Sequence, residues 1–175
     1  MPVAVLVVCG APLTGRLADM SSVMVDAGWR THVIGTPSSS AWIDPRVAAD
    51  MSIRFDFRGP HQEKKIQPDI VIVCPGTFNT INKVVAGLAD NYAVSFICEA
   101  MGAGIPMVIS PMVNNKLWAH LQWEASLDAL RLAGVRLLDP QTGGIDVRPV
   151  QSGTGDTVVS YFQPSWLVAA AASMI

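Results

Sequence analysis

Short β-branched runs alternate along this chain with longer stretches whose apolar residues recur every three or four positions. Runs of the first kind suit strands buried on both faces, and stretches of the second suit helices. Their alternation predicts an α/β fold built on a parallel sheet. Residues 3–9 read as a buried strand ending in Gly10-Ala11-Pro12. A helix is expected over 13–27, with Leu17, Met20, Val23 and Met24 at helical spacing and Gly28 closing it. A second strand, 30–35, runs into the loop Thr36-Pro37-Ser38-Ser39-Ser40, followed by a helix over 42–49 and a short strand over 52–55. Residues 57–68 are polar and irregular.

A central strand is expected over 70–74, broken by Pro75-Gly76, with helices over 80–88 and 92–103. The next strand, 105–110, stops at Pro111. The longest predicted helix covers 115–133, with Leu117, Leu121, Ala125 and Ala129 on one stripe and Gly134 ending it. A last strand, 135–138, precedes a Gly-, Pro-, Gln- and Thr-rich stretch that reads as a flexible flap over 140–160, and a short apolar helix spans 165–174. Neither a linker nor an internal repeat interrupts the pattern. One doubly wound, Rossmann-like domain over 1–175, with helices on both faces of the sheet, accounts for all of it.

Composition narrows the possibilities. Half of the 175 residues are hydrophobic and 15% are charged, against roughly 25% charged in an ordinary soluble domain. Intrinsic disorder is thereby excluded. The 12 basic and 14 acidic residues leave a net charge of −2 without a basic stripe, which argues against nucleic-acid binding. So few charges suggest that copies of the chain cover part of its surface, and Trp42, Trp118 and Trp123 are the candidates for that face. Cys9, Cys74 and Cys98 make neither a disulfide framework nor a zinc site, and His32, His61 and His120 are too scattered for a metal. The apolar start is too short to span a bilayer and has no basic residue before it, so a cytoplasmic protein away from membranes is expected.

In a doubly wound sheet, ligands bind beyond the carboxyl ends of the strands. The segments leaving those ends are Gly10-Ala11-Pro12, Thr36-Pro37-Ser38, Pro75-Gly76-Thr77-Phe78-Asn79-Thr80 and Pro111-Met112-Val113-Asn114. They supply glycine, hydroxyl and amide groups suited to a phosphate, a polyol or a heterocycle. Small polar residues after strands are also ordinary helix caps, and each segment alone supports that plainer reading. No G-x-G-x-x-G follows the first strand, which disfavours a conventional dinucleotide site.

Taken together, these segments resemble the flavin-containing cysteine decarboxylases. Pro75-Gly76-Thr77-Phe78-Asn79-Thr80 is similar to the family's Pro-Ala-Ser-Ala-Asn-Thr, and Pro111-Met112-Val113-Asn114-Asn115-Lys116-Leu117-Trp118 to its Pro-x-Met-Asn-x-x-Met-Trp. His61 stands eight residues before Asp69, the family's spacing between its active-site histidine and the aspartate opening the central strand. The resemblance implies an FMN site formed by Gly10, Ala11, Pro12, Thr36, Pro37, Ser38, Thr77, Phe78, Asn79, Thr80, Ile81 and Val113. It makes Asn114 the holder of the substrate carboxylate and His61 the active-site base. It further implies a homo-oligomer, a trimer or a dodecamer.

The activity implied is FMN-dependent decarboxylation of a cysteine with a free carboxylate. The flavin takes a hydride from Cβ, the resulting thioaldehyde acts as electron sink, and CO2 leaves an enethiol. The substrate is either the C-terminal cysteine of a ribosomally made precursor peptide, as in aminovinylcysteine pathways, or phosphopantothenoylcysteine on the route to coenzyme A. Decarboxylases of the second kind add a flap cysteine that protonates the enethiol as the hydride returns. No cysteine follows Cys98 in this chain, and Ser152 stands about where that thiol would be. A hydroxyl is a far weaker acid than a thiol, so the peptide branch is expected. A non-catalytic flavin-binding subunit is the competing reading. Flavin prenyltransferases share the architecture but not the Asn114 motif or the His61 spacing.

Overall fold

The computed structural model of the protein describes residues 1–59 and 66–175. Its strands are β1 (Val3–Val8), β2 (Arg30–Gly35), β3 (Ile53–Arg54), β4 (Ile70–Gly76), β5 (Met107–Pro111) and β6 (Arg136–Leu137). They form one parallel sheet in the order β3-β2-β1-β4-β5-β6. The sheet winds outward in both directions from β1 and β4, so the crevice between their carboxyl ends is the topological switch point. Asp69 secures the opposite end of this pair: its Oδ2 accepts the Val3 N–H at 2.7 Å, and its own N–H reaches Val3 O at 2.8 Å.

Alternate residues of each strand feed two cores. Leu6, Val8, Ile70 and Ile72 meet α1 (Leu17–Asp26) and α8 (Ser165–Ala172) through Leu17, Met20, Met24 and Leu167. Val5, Val7, Val71 and Val73 meet α3 (Phe78–Ala86), α4 (Tyr92–Gly102) and α6 (Gln122–Leu132) through Ile81, Val94, Ile97 and Leu127. Both faces are therefore covered, as the sequence pattern requires. Cys9 and Cys74 are free thiols inside these cores, and burial pushes the Cys74 thiol up to about 12.

Several expected elements take a different form. The loop after β2 is a 3-10 helix over Pro37–Trp42, and α2 (Pro45–Asp50) starts beyond it, where the Asp44 carboxylate accepts the Arg46 N–H at 2.8 Å. Pro75 does not break the central strand, which continues to Gly76 beside Pro111. The long helix expected over 115–133 is two helices, α5 (Asn115–Trp118) and α6, turned about His120, whose Nδ1 accepts the Gln122 N–H at 3.1 Å. The stripe on α6 is likewise different: Leu121 is 88% exposed, while Trp123, Ser126, Leu127 and Leu130 are buried. Trp123 thus belongs to the core, not to an outer face. Within 140–160 the chain forms α7 (Gly155–Tyr161), which packs on the 3-10 helix Pro12–Arg16.

Candidate functional site

The residues at the switch point enclose a cavity of about 570 Å3, within the range typical of small-molecule sites. Eight of the residues that the resemblance assigns to cofactor or substrate line it, Gly10, Ala11, Pro12, Thr77, Phe78, Asn79, Val113 and Asn114, and Ser152 of the flap joins them. They arrive from β1, β4 and β5, three segments distant in sequence, because parallel strands place all their carboxyl ends on one edge. Thr36, Pro37, Ser38, Thr80 and Ile81 stand outside the lining. His61 lies outside the described residues.

Gly10 is where the first two loops touch. A Cβ on Gly10 would stand 2.7 Å from Ser38 Oγ and 2.9 Å from Ser38 Cβ, closer than real contacts allow, and 3.0 Å from Ser38 O. Thr36 extends the β1–β2 ladder, its N–H reaching Val8 O at 3.0 Å, and Thr36 Oγ1 lies 3.3 Å from Ser38 Oγ. The pair of hydroxyls is therefore held directly behind Gly10. Thr80 is buried, and Ile81 is fixed in the core at 1% exposure, so these two support the site from beneath.

On the neighbouring strand, Thr77 starts α3. Its Oγ1 accepts the Thr80 N–H at 3.3 Å and donates to Thr80 Oγ1 at 3.1 Å. Thr77 is thus the cap, and Asn79 is not. Asn79 lies exposed in the first turn of α3 with its amide on the cavity. Replacing Asn79 by Asp is expected to leave the melting temperature unchanged or slightly raised, because an acid in a first turn stabilises a helix by about 0.3–1 kcal/mol. The same charge beside an electron-rich ligand should strip that ligand during gel filtration. A mutant that keeps its ligand would reduce Asn79 to a bystander.

Asn114 is the most constrained polar group in the cavity. Its Oδ1 accepts the N–H groups of Lys116 and Leu117, both at 3.0 Å, capping α5. That orients the amide, because only the oxygen can accept, and leaves the Nδ2 donor for a ligand. The flap is joined to the same place. Val150 N–H reaches Val113 O and Asn115 N–H reaches Val150 O, each at 2.9 Å, forming a parallel bridge. Ser152 donates to Asn115 Oδ1 through its N–H and its Oγ, both at 2.9 Å.

Other lining residues escaped the sequence reading. Trp42, read as an interface residue, is brought to the cavity by the Pro37–Trp42 helix. Met112, Leu117, Gln151, Gly153 and Asp156 also line it. Leu117 carried a signal, since it stands within the motif of Asn114. Phe78 stacks on Trp123, with ring centroids 5.4 Å apart, and meets His120 edge-on at 5.6 Å. This aromatic packing braces α3 against α6 behind the cavity.

Known proteins are similar to this chain in sequence and in fold. The chain is 32% identical over 134 residues to the coenzyme A biosynthesis bifunctional protein CoaBC of Escherichia coli strain K12, covering 77% of this chain and 30% of that protein. It spans 20% to 36% of the length of several other curated relatives. Among solved structures, a mutant PPC decarboxylase complexed with pantothenoylaminoethenethiol superposes with a TM-score of 0.75 at 19% identity, covering 98% of this chain and 97% of that one. The FMN-dependent cysteine decarboxylase TvaF from thioviridamide biosynthesis gives 0.66 at 22% identity, covering 98% and 99%. At these identities the superpositions establish the shared fold. The sequence model of the Flavoprotein family matches residues 5–163, and the chain belongs to that family.

Proposed function

We propose that this protein binds FMN in the switch-point cavity and oxidatively decarboxylates the C-terminal cysteine of a ribosomally made peptide to an enethiol. The observation that carries this reading is the Asn114 amide. With Oδ1 committed to two backbone donors, Nδ2 offers neutral N–H donors to a carboxylate. A neutral donor orients that group without the ionic grip that would favour it over departing CO2.

The residues present fit FMN. Gly10, Ala11 and Pro12 bring the backbone of the first loop to the cavity, with the Thr36 and Ser38 hydroxyls packed behind Gly10, and Thr77, Phe78 and Asn79 line it from the start of α3. Phe78, Met112, Val113 and Val150 supply apolar walls for a ring system. Bound FMN would supply the two-electron oxidation of the cysteine side chain on which loss of CO2 depends. The chain's part is to orient the carboxylate through Asn114, to exclude water with its apolar walls, and to take a proton at His61. Replacing His61 by Asn tests that assignment: flavin content should be retained while peptide turnover is lost. Undiminished turnover would remove His61 from the mechanism.

The flap supports an unsaturated product. Ser152 donates its hydroxyl proton to Asn115 Oδ1, and no thiol occurs after Cys98. The flap holds no thiol to deliver a proton as the enethiol is reduced, so the reaction is expected to end at the enethiol. The coenzyme A branch, supported by the likeness to CoaBC, remains the alternative substrate class and predicts a saturated product. Homo-oligomerisation belongs to this proposal too. Trp42 and Leu117, on the cavity wall, are 44% and 42% exposed, and Leu121 beside them in sequence is 88% exposed, which suits cover by a second copy.

A further inference from the structure

Among the described residues lining the cavity there is one ionisable side chain, Asp156, and no Lys, Arg or His. Asp156 is exposed and has no ion-pair partner among the described residues. It is also held in place. Gly155 stands so close to the floor of the site that a Cβ there would lie 3.0 Å from Pro12 Cγ and 3.7 Å from Met112 Cε. Val158 is buried, and Arg16 Nη1 donates to Val159 O at 2.8 Å, fastening α7 to the 3-10 helix that follows β1. Arg16 itself is paired with Asp19. The Asp156 backbone is therefore anchored to the loops that form the site, and its carboxylate stands on the cavity wall.

We propose that Asp156 selects substrates by charge, favouring peptides with a cationic residue close to the terminal cysteine and disfavouring anionic or phosphorylated ones. This rests on the peptide-decarboxylase reading and deepens it. A charge on a cavity wall acts at short range on a charged side chain bound in that cavity. A substrate side chain of opposite sign gains where one of like sign loses. Among the described residues lining the cavity, no cationic side chain offsets that preference.

The test uses flavin-loaded protein and three peptides of equal length ending in cysteine, with Lys, Ala or Glu two positions before it. The same three peptides ending in serine, which cannot react, report binding by fluorescence anisotropy at low and high salt. The expected result is a preference for Lys over Glu of roughly tenfold in both kcat/KM and affinity at low salt, shrinking as salt screens the charge. Replacing Asp156 by Asn should bring the ratio close to one, and replacing it by Lys should invert it. An unchanged ratio in D156N overturns the proposal, as does failure of every serine-ended peptide to bind. Charge-selective binding without turnover of any cysteine-ended peptide would instead defeat the decarboxylase reading and leave the selection by Asp156 standing.

Discussion

Replacing Asn114 by Asp is expected to abolish turnover while leaving the fold and the flavin site intact. The substitution separates the two tasks of this side chain. A carboxylate still accepts the Lys116 and Leu117 N–H groups, so the cap on α5 survives. What is lost is the Nδ2 donor, and what replaces it is a negative charge facing the substrate's own carboxylate. Like charges about 4 Å apart cost about 4 kcal/mol at an effective dielectric of 20, so kcat/KM should fall by about a thousandfold. Steady-state kinetics, with the visible spectrum as a control for retained flavin, decide the matter. A mutant within tenfold of the parent would show that Asn114 caps a helix and does nothing more.

The second large effect is expected at Gly10. An alanine there drives its methyl group into Ser38, with Oγ at 2.7 Å, Cβ at 2.9 Å and the backbone oxygen at 3.0 Å. The backbone oxygen cannot swing aside without moving the Pro37–Trp42 helix, so the two loops must separate. Such overpacking costs about 1–3 kcal/mol of stability. Because Gly10 lines the cavity proposed to hold the cofactor, flavin affinity should fall by about tenfold or more. Absorbance after gel filtration reads this directly. Combining Gly10→Ala with Ser38→Gly removes the two side-chain clashes and should restore part of the colour. Full retention by the single mutant would place the cofactor elsewhere.

The architecture was legible because alternation of apolar runs reports burial on both faces of a sheet, and the strand-end segments converge wherever parallel strands are paired. The failures have physical causes. From residue 117 to 130 two helical stripes coexist: Leu117, Leu121 and Ala125, and Trp123, Ser126, Leu127 and Leu130. Periodicity does not choose between them. The chain does, by turning at His120 and burying the second stripe against α3. Helix α7 gave a weak local signal, since it contains the β-branched Thr157, Val158 and Val159. It is held by a long-range bond from Arg16 and by packing on Pro12–Arg16, neither of which local propensity registers. Trp42 reached the cavity by the same kind of tertiary effect, carried there by a 3-10 helix where a loop was expected. For α6 and α7 a contact distant in sequence decided the outcome.

The branch of chemistry rests on the flap. Val150 and Ser152 are tied to the segment carrying Asn114 and Asn115, so this part of the flap lines the same cavity as Asn114. That position holds a hydroxyl already donating to an amide, where a thiol would be needed to complete a saturated product. The most direct measurement is mass spectrometry of a peptide ending in cysteine after incubation with the flavin-loaded protein in air. The account predicts a product lighter by CO2 and two hydrogens, with a thiol that can be trapped by alkylation. Loss of CO2 alone, or saturated phosphopantetheine formed by this protein from phosphopantothenoylcysteine, would contradict it.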